Sequence, residues 1–325
     1  MRPEVFCLGA VNLELTYLVD DLPGFFREWS PGPARDGTVV LSNAAEERLE
    51  ELLSRRGRLT GKDWGGRAPG AAWALARLGL NAALLGRVGE DADGAFLLEN
   101  LAGVNLDYLI RGGRSGRTYL LTDPAGARAI LEAPHTNGDL TPGDIPPEPL
   151  ARGEFLLLTL FPGERLLQTQ DETARKSAAS PRLVLDPGEL RARRGWQALE
   201  VMLDQVETLL VTEREWQLLG GEPKVHPHWA PPLVVIKRGS LGARLLTPPR
   251  YLDFPVELVP HEADINAAGD VFAAGYLAGR ISGLHLNLAL RLANRAAAVS
   301  LKGPGRESYP DAAFLERQVA HLRRT

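Results

Sequence analysis

The chain has 325 residues, of which 44% are hydrophobic and 24% are charged, and this balance is that of a globular protein. Disordered, fibrous and collagen-like chains are therefore excluded. The net charge of −4 offers no overall positive field for nucleic acid or an anionic membrane. The single Cys7 excludes an internal disulfide and a cysteine-based zinc site. No apolar run of about 18 residues is present, and no signal-cleavage pattern follows the N-terminus, so we expect a cytoplasmic protein without a membrane span.

Short, continuously apolar runs recur along the chain and predict strands that are buried on both faces. Their ranges are Val5–Val11, Ala82–Val88, Phe155–Leu160, Leu183–Leu185, Thr208–Val211 and Leu233–Ile236. Amphipathic stretches between them predict helices, at Ala71–Leu78, Ala92–Leu101, Arg194–Leu203 and Glu213–Leu219. Alternating strands and helices indicate an α/β fold, with a mostly parallel central sheet between two layers of helices. No change of composition marks a linker, so residues 1–325 are predicted to form one domain.

Two regions interrupt this alternation and predict a small β-rich lid, formed by residues of about 13–61 and 107–133. The first region contains turn-rich sequence and then a charged helical pattern over Asn43–Arg56. The second region alternates apolar and polar residues between glycine-rich turns, at Arg117–Thr122 and Arg128–Leu131. This alternation is typical of a hairpin.

A pair of glycines, Gly65 and Gly66, directly precedes a predicted helix. Such a pair lets the backbone approach a ligand closely at the start of the helix. Packing alone also explains a glycine-rich turn, so this motif does not by itself assign a ligand.

A second motif, at residues 264–275, reads DINAAGDVFAAG, and its small residues lead into an apolar helix that begins near Gly269. The N-terminus of a helix presents unpaired N–H groups and a positive dipole end, which suit an anion. Asp270 falls in the first turn. Its carboxylate is suited to take a proton from an attacking hydroxyl while the N–H groups hold a phosphoryl group. Alternatively, Asp270 has no catalytic role and only interacts favourably with the positive end of the helix dipole.

Two further motifs each follow a predicted strand. Lys237 precedes a turn with Gly239 and Gly242, and a cation there suits phosphate, although a surface turn is the alternative. Thr212 and Glu215 form the pattern of a helix-capping box, which is compatible with a role in a site. The P-loop and the Rossmann glycine motif are both absent, which argues against a P-loop kinase and a Rossmann dehydrogenase.

In this order and spacing, the motifs resemble those of the PfkB carbohydrate kinase family. The resemblance runs from Gly9 to about Gly305 and is most specific at residues 65–103 and 264–275. It implies a ribokinase-like fold, a three-layer α/β/α sandwich with a small β-rich lid. It also implies an ATP- and Mg²⁺-dependent transfer of a phosphoryl group to a hydroxyl, most simply a primary one, of a sugar or sugar-like acceptor. Several relatives dimerise through the lid, so a homodimer formed there is a further expectation.

The resemblance also implies a role for each matching residue. Asp270 would be the general base, and the backbone of Ala267, Ala268 and Gly269 the anion hole. Glu215 would reach Mg²⁺ through water, since Mg²⁺ keeps several waters. The nucleotide-binding residues would be Thr212, Glu215, Lys237, Gly239, Gly242 and Asn294. The acceptor-binding residues would be Asn12, Glu14, Gly65, Gly66, Arg67, Gly70 and Asp264.

The sequence departs from the family pattern mainly at the acceptor pocket. Glu14 replaces a shorter aspartate, Arg67 a lysine, and Gly70 an asparagine that binds the sugar. Ile265, Ala267 and Thr212 replace a threonine, a glycine and an asparagine at the phosphoryl-transfer end. We therefore expect an unusual acceptor.

Two other interpretations remain open. The long segment of residues 20–61 is similar to that of adenosine-kinase-like members, which favours a nucleoside acceptor. A ligand-binding pseudokinase without turnover is the other interpretation, motivated by the departures from the family pattern. The retained Asp270 argues against a pseudokinase, because a site released from catalysis has no need of that acid.

Overall fold

The structure is a computed structural model that describes residues 2–29, 38–159, 164–177, 180–221, 233–247, 250–256, 268–303 and 305–324. Fourteen strands lie within these residues. They are β1 (Val5–Leu8), β2 (Asn12–Val19), β3 (Thr38–Val40), β4 (Gly57–Gly65), β5 (Ala82–Val88), β6 (Leu109–Arg111), β7 (Gly116–Thr122), β8 (Arg128–Ala133), β9 (Phe155–Thr159), β10 (Arg182–Asp186), β11 (Val206–Thr212), β12 (Leu233–Lys237), β13 (Ala243–Thr247) and β14 (Arg250–Phe254).

The α-helices of the described residues connect and cover these strands. They are α1 (Leu22–Trp29), α2 (Asn43–Arg56), α3 (Arg67–Arg77), α4 (Ala92–Asn100), α5 (Pro147–Leu150), α6 (Glu164–Lys176), α7 (Gly188–Ala192), α8 (Glu200–Leu203), α9 (Glu213–Leu219), α10 (Ala268–Ile281), α11 (Leu286–Ser300) and α12 (Ala312–Leu322). None of them combines the length and the apolar character that a membrane crossing needs.

The larger sheet has nine strands in the order β14-β13-β12-β11-β10-β9-β1-β5-β6. The strands from β12 to β6 run parallel, and β13 and β14 add an antiparallel edge. Alternate residues of the central strand β1 enter two separate cores. Val5 and Cys7 pack with α3, α10 and α11, whereas Phe6 and Leu8 pack with α6 to α9. The three-layer α/β/α sandwich is therefore confirmed.

The lid is a five-stranded sheet in the order β3-β8-β7-β2-β4. Strands β7 and β8 form the predicted antiparallel hairpin. Parallel pairing joins this hairpin to β2 and β3 of the first lid region. One face of the sheet carries Tyr119 and Leu131, which pack with Leu49 and Leu53 of α2. The other face is left for the cavity described below. The homodimer through the lid stays a prediction.

Three expected boundaries were wrong. The predicted helix over Arg194–Leu203 is broken at Gly195, whose φ of +70° is incompatible with an α-helix. A short 3-10 helix at Trp196–Ala198 follows, and only Glu200–Leu203 is α-helical. Strand β6 pairs with β5 in the larger sheet, so the second lid region contributes only β7 and β8. Strand β1 ends at Leu8, since the chain leaves the sandwich there to enter the lid.

Candidate active site

A cavity of about 400 Å³ lies between the lid and the ends of the parallel strands. It is the crevice in which open α/β sheets bind their ligands. Most of the predicted site residues line it, although they come from distant parts of the chain. They are Asn12, Glu14, Gly65, Gly66, Arg67, Gly70, Thr212, Lys237, Ala268, Gly269 and Asp270. Asp264, Ile265 and Ala267 lie outside the described residues.

Asp270 reaches the cavity from the first turn of α10, which begins at Ala268. Burial of its carboxyl group raises its pKa to about 7, and the nearby Asp186 adds to the increase. Arg67, Lys237 and Arg306 act in the opposite direction. A carboxyl group with this pKa exchanges protons near neutral pH, which suits a general base.

The space for Asp270 is provided by Gly70 of α3, the helix that packs against α10. A Cβ atom built on Gly70 would lie 2.2 Å from Asp270 Oδ2. No side chain fits there unless the carboxylate moves. The residue that replaces the sugar-binding asparagine of the family is thus in contact with the predicted base.

Arg67 is the first residue of α3 and follows Gly66, whose φ of +105° disfavours residues with a side chain. The Arg67 guanidinium donates to Asp186 Oδ1 at 2.5 Å and to Glu215 Oε1 at 3.1 Å. Lys237 Nζ donates to the other oxygen of Asp186 at 2.6 Å. Although burial acts to raise it, these two cations hold the pKa of Asp186 below its usual range.

Sequence reasoning missed Asp186, which lies at the carboxyl end of β10. Its side chain is 4% exposed and is shared between Arg67 and Lys237. The signal available in the sequence is its position directly after a buried strand, beside the strands that precede Thr212 and Lys237.

The predicted capping box is confirmed and also forms part of the site. Thr212 Oγ1 accepts from the Glu215 amide at 3.1 Å, and Glu215 Oε2 accepts from the Thr212 amide at 2.8 Å. The second oxygen of Glu215 accepts from Arg67. Arg67 and Lys237 together form what we call the cation wall of the cavity. Glu215 therefore caps α9 and bonds this wall through Arg67, although Glu215 itself is not among the lining residues.

The lid forms the side of the cavity that carries Asn12 and Glu14, two of the predicted acceptor-binding residues. Asn12 Nδ2 donates to Thr118 Oγ1 at 3.1 Å, and Asn12 Oδ1 accepts from Asn137 Nδ2 at 2.7 Å. Asn137 in turn bonds both the amide and the carbonyl of Val11. Glu14 lies on the same wall as Asn12. Because alternate residues of β2 and β7 face the cavity, the wall is polar even though the lid core is apolar.

Glu132 of β8 also lines this wall and was not predicted. Its Oε2 atom is buried without a hydrogen-bond partner among the described residues. Burial raises the pKa of Glu132 to about 7, against the effect of Arg67. The signal in the sequence is an acidic residue inside an apolar hairpin strand, on the face shared with Ile130.

A second cavity, of about 870 Å³, lies beside β14 and α11. It contains Asn294, whose side chain donates to the Phe254 carbonyl at 2.7 Å. Gly239 and Gly242 lie in the turn between β12 and β13, directly after Lys237. The structure thus places Lys237 in the first cavity and Asn294 in the second.

Comparison with known proteins agrees with this architecture. The model of the pfkB family of carbohydrate kinases matches residues 38–312. A sugar kinase of Archaeoglobus fulgidus described as uncharacterized is 30% identical over 246 residues, which cover 73% of this chain and 98% of the relative. An ATP-dependent ribose-1-phosphate kinase of Halopiger xanaduensis is 28% identical over 322 residues, 95% of each chain.

Among solved structures, adenosine kinase from Sinorhizobium meliloti superimposes with a TM-score of 0.82 at 22% identity, over 98% of this chain and 99% of that one. The ribokinase-like fold is thereby confirmed. The chain belongs to the pfkB family of carbohydrate kinases, as the resemblance of its motifs predicted. It is accordingly a phosphotransferase of the carbohydrate kinase type.

Proposed function

We propose that this protein transfers the γ-phosphoryl group of ATP to a hydroxyl, primary in the simplest case, of a sugar or sugar-like acceptor, with Asp270 as the general base. One observation carries the proposal. The Asp270 carboxyl group, with its pKa near 7, faces the same cavity as the cations Arg67 and Lys237. A general base beside two cations suits phosphoryl transfer, because catalysis of that reaction depends mainly on positioning the reactants and stabilising negative charge.

Asp270 takes the proton of the acceptor hydroxyl as its oxygen attacks the γ-phosphorus, and the bond from that phosphorus to ADP breaks. The backbone N–H groups of Ala268 and Gly269, at the beginning of α10, face the negative charge of the transferring group. The resemblance assigns Ala267, which lies outside the described residues, to the same anion hole. Lys237, whose Nζ would lie 3.7 Å from a Cβ atom on Gly269, and Arg67 add positive charge beside this anion hole.

The donor set fits Mg²⁺. Asp186 and Glu215 supply hard carboxylate oxygens at the cation wall, the ligand type that Mg²⁺ prefers. The described residues hold no group of three acidic or histidine ligands, so the nucleotide phosphates would provide most of the coordination, with Glu215 acting through water. Bound there, Mg²⁺ supplies positive charge to the phosphates.

The names of two relatives are consistent with this activity. The Halopiger protein, similar along almost the whole chain, is named as an ATP-dependent kinase of ribose 1-phosphate. The similar ribokinase of Bacillus subtilis supports a pentose-like acceptor. ATP as donor and a pentose-like acceptor are therefore the first compounds to test.

A nucleoside acceptor is the second candidate. Helices α1 and α2 extend the first lid region and pack beside its sheet, which is the elongated lid expected of adenosine-kinase-like members. A nucleoside would place its sugar against Asn12 and Glu14 and its base toward the lid.

The test is a coupled ADP-release assay with ATP, Mg²⁺ and a panel of pentoses, hexoses, keto-deoxy acids, inositols and nucleosides. We expect turnover with one class of acceptor in the wild-type protein and none above background in Asp270→Ala. The variant should still bind ATP. Turnover retained in Asp270→Ala would exclude Asp270 as the base. If no acceptor of the panel causes ADP release although the protein binds ATP, the pseudokinase interpretation would be favoured.

A further inference from the structure

One cation of the cavity has no part in the proposed transfer step. Arg306 lies in the short turn Gly305–Ser308 and lines the cavity beside Tyr309. Its guanidinium is stacked on the Trp64 ring, 3.5 Å from the ring centroid. It donates to the Asp63 carboxylate and, at 2.6 Å, to the Trp64 carbonyl. Arg306 is therefore held by the two residues that directly precede Gly65.

This arrangement presents a guanidinium in a fixed orientation. Stacking on an indole removes water from one face of the group and leaves the charge in place. A fixed guanidinium loses less conformational entropy when it binds a planar or tetrahedral anion, and its fork matches phosphate and carboxylate oxygens. Its carboxylate partner Asp63 is more than half exposed, so solvent screens that pair.

The other cations of the described cavity wall already have partners at its phosphoryl-transfer end. Arg67 and Lys237 pair with Asp186, and Arg67 also pairs with Glu215. The acceptor side carries the carboxylates Glu14 and Glu132, which suit sugar hydroxyls rather than an anion. Arg306 is itself paired with Asp63, but that carboxylate is more than half exposed, so Arg306 is better placed than Arg67 or Lys237 to meet a group on the acceptor.

Arg306 lies close enough to the reaction to act on the same molecule. Its charge contributes to lowering the pKa of Asp270, which is otherwise raised by burial. Both side chains line one cavity of about 400 Å³, a volume that a sugar with one substituent fills. An acceptor that offers a hydroxyl to Asp270 therefore has its remaining substituents within the range of Arg306.

We propose that the acceptor is an anionic sugar, bearing a phosphate or a carboxylate away from the reacting hydroxyl, and that Arg306 binds this anionic group. The inference rests on the proposed function and narrows its substrate class. The anionic group is unchanged in the reaction. The γ-phosphoryl group passes to the acceptor oxygen, the proton passes to Asp270, and ADP leaves.

The test compares three acceptors in the coupled assay, which are neutral ribose, ribose 1-phosphate and 2-keto-3-deoxygluconate. The last two distinguish a phosphate from a carboxylate. Each is measured with the wild-type protein and with Arg306→Met, Arg306→Lys and Arg77→Met. Arg77 is the matched control, because it also lies over a tryptophan, Trp73, and donates to the Tyr309 carbonyl, but does not line the cavity.

We expect the wild-type protein to prefer one anionic acceptor over ribose by at least tenfold in kcat/KM. Arg306→Met should lower kcat/KM for that acceptor by roughly 10- to 100-fold, mainly through KM, since a hydrogen bond between charged groups is lost. Activity on neutral ribose should fall much less than activity on the anionic acceptor, because ribose has no charged group for Arg306 to bind. Arg306→Lys should recover part of the loss, and Arg77→Met should keep the wild-type preference.

Two results would overturn the proposed role of Arg306 without contradicting the proposed kinase function. One is a wild-type protein that uses ribose as well as the anionic sugars. The other is an equal loss on all acceptors in Arg306→Met, which would make Arg306 a structural contact of Trp64. If no acceptor reacts, the proposed function fails, and calorimetric titration with the two anionic sugars then tests the site. Binding that Arg306→Met abolishes would support it, and no binding to the wild-type protein would overturn it.

Discussion

The carboxylate of Asp270 lies in the space that a side chain at position 70 would fill, with only 2.2 Å between Oδ2 and an ideal Cβ on Gly70. The sequence shows only that Gly70 lacks the side chain with which the family binds the sugar. The structure shows in addition that the carboxylate of the proposed base packs directly against Gly70. The departure in the acceptor pocket and the position of the base are therefore linked.

Replacing this glycine should displace the base. Alanine normally stabilises a helix interior relative to glycine, by up to about 1 kcal/mol. At position 70 we expect Gly70→Ala to destabilise the protein by about 1–3 kcal/mol through overpacking, and to lower kcat by roughly 10- to 100-fold. Gly70→Asn, which restores the residue of the family pattern, should be no better. Urea unfolding and steady-state kinetics measure both effects.

Gly138→Ala is the control for this prediction, because a Cβ there meets no atom within 4 Å. It should leave kcat within about twofold. An active, stable Gly70→Ala protein would show that Asp270 has room to move without loss.

The pH dependence of turnover should follow the ionisation of Asp270. The base must be deprotonated to accept a proton, and burial raises its pKa to about 7. We expect kcat/KM to fall about tenfold per pH unit below that value and to level off above it. Glu132 titrates in the same range, so Glu132→Gln is the control and should retain the profile. A profile that is flat from pH 5 to 8 would contradict the assignment.

The same pKa predicts an effect on stability. The carboxyl group of Asp270 titrates near 7 in the folded protein and near 3.8 as a free side chain. Its neutral form therefore favours folding at low pH, and this contribution is lost as the pH rises through 7. Asp270→Asn should raise the free energy of unfolding at pH 8 by up to about 3 kcal/mol, and by less at pH 5. Equal changes at both pH values would place the titration elsewhere.

Asn137 should act as a positioning residue for Asn12. Its side chain is fully buried and bonds Val11 and the Asn12 amide oxygen. Asn137→Ala should raise KM for the acceptor by roughly tenfold, with a smaller change in kcat, because the orientation of the Asn12 amide is no longer fixed.

Thr136→Val is a matched control for Asn137. It removes a neighbouring hydroxyl that accepts from Arg87 at 3.2 Å and takes no part in the hydrogen bond between Asn137 and Asn12. KM should stay within about twofold of the wild-type value. If Asn137→Ala lowers stability alone and leaves KM unchanged, Asn137 is only a core residue.

The central strands and the lid hairpin were predictable because each hydrophobic pattern is compatible with only one kind of strand. Residues 155–158 are apolar throughout, as expected of a strand buried on both faces, and β7 alternates as a half-buried strand does. The helix expected over Arg194–Leu203 was wrong because the apolar spacing continues past Gly195, where the backbone turns. The spacing of apolar residues contains no information about a single residue that needs a positive φ angle.

The lining of the cavity was predictable where a motif is continuous in the chain, as at Gly65–Arg67 and Ala268–Asp270. Asp186 and Glu132 were missed because their partners are remote. Arg67 is 119 residues from Asp186, and only the strand order brings the two together. Arg306 was missed for the same reason, since Trp64 and Asp63 lie more than 240 residues before it.

Asp186 gives both Arg67 and Lys237 a counter-charge that belongs to the protein itself. Glu215, which also pairs with Arg67, supplies a second negative charge, so the two cations of the cation wall are balanced and oriented before any ligand arrives. A nucleotide that binds there would replace one anionic partner with another. Its measured affinity would then be the difference between two ion pairings, and not the full attraction of two cations for a phosphate.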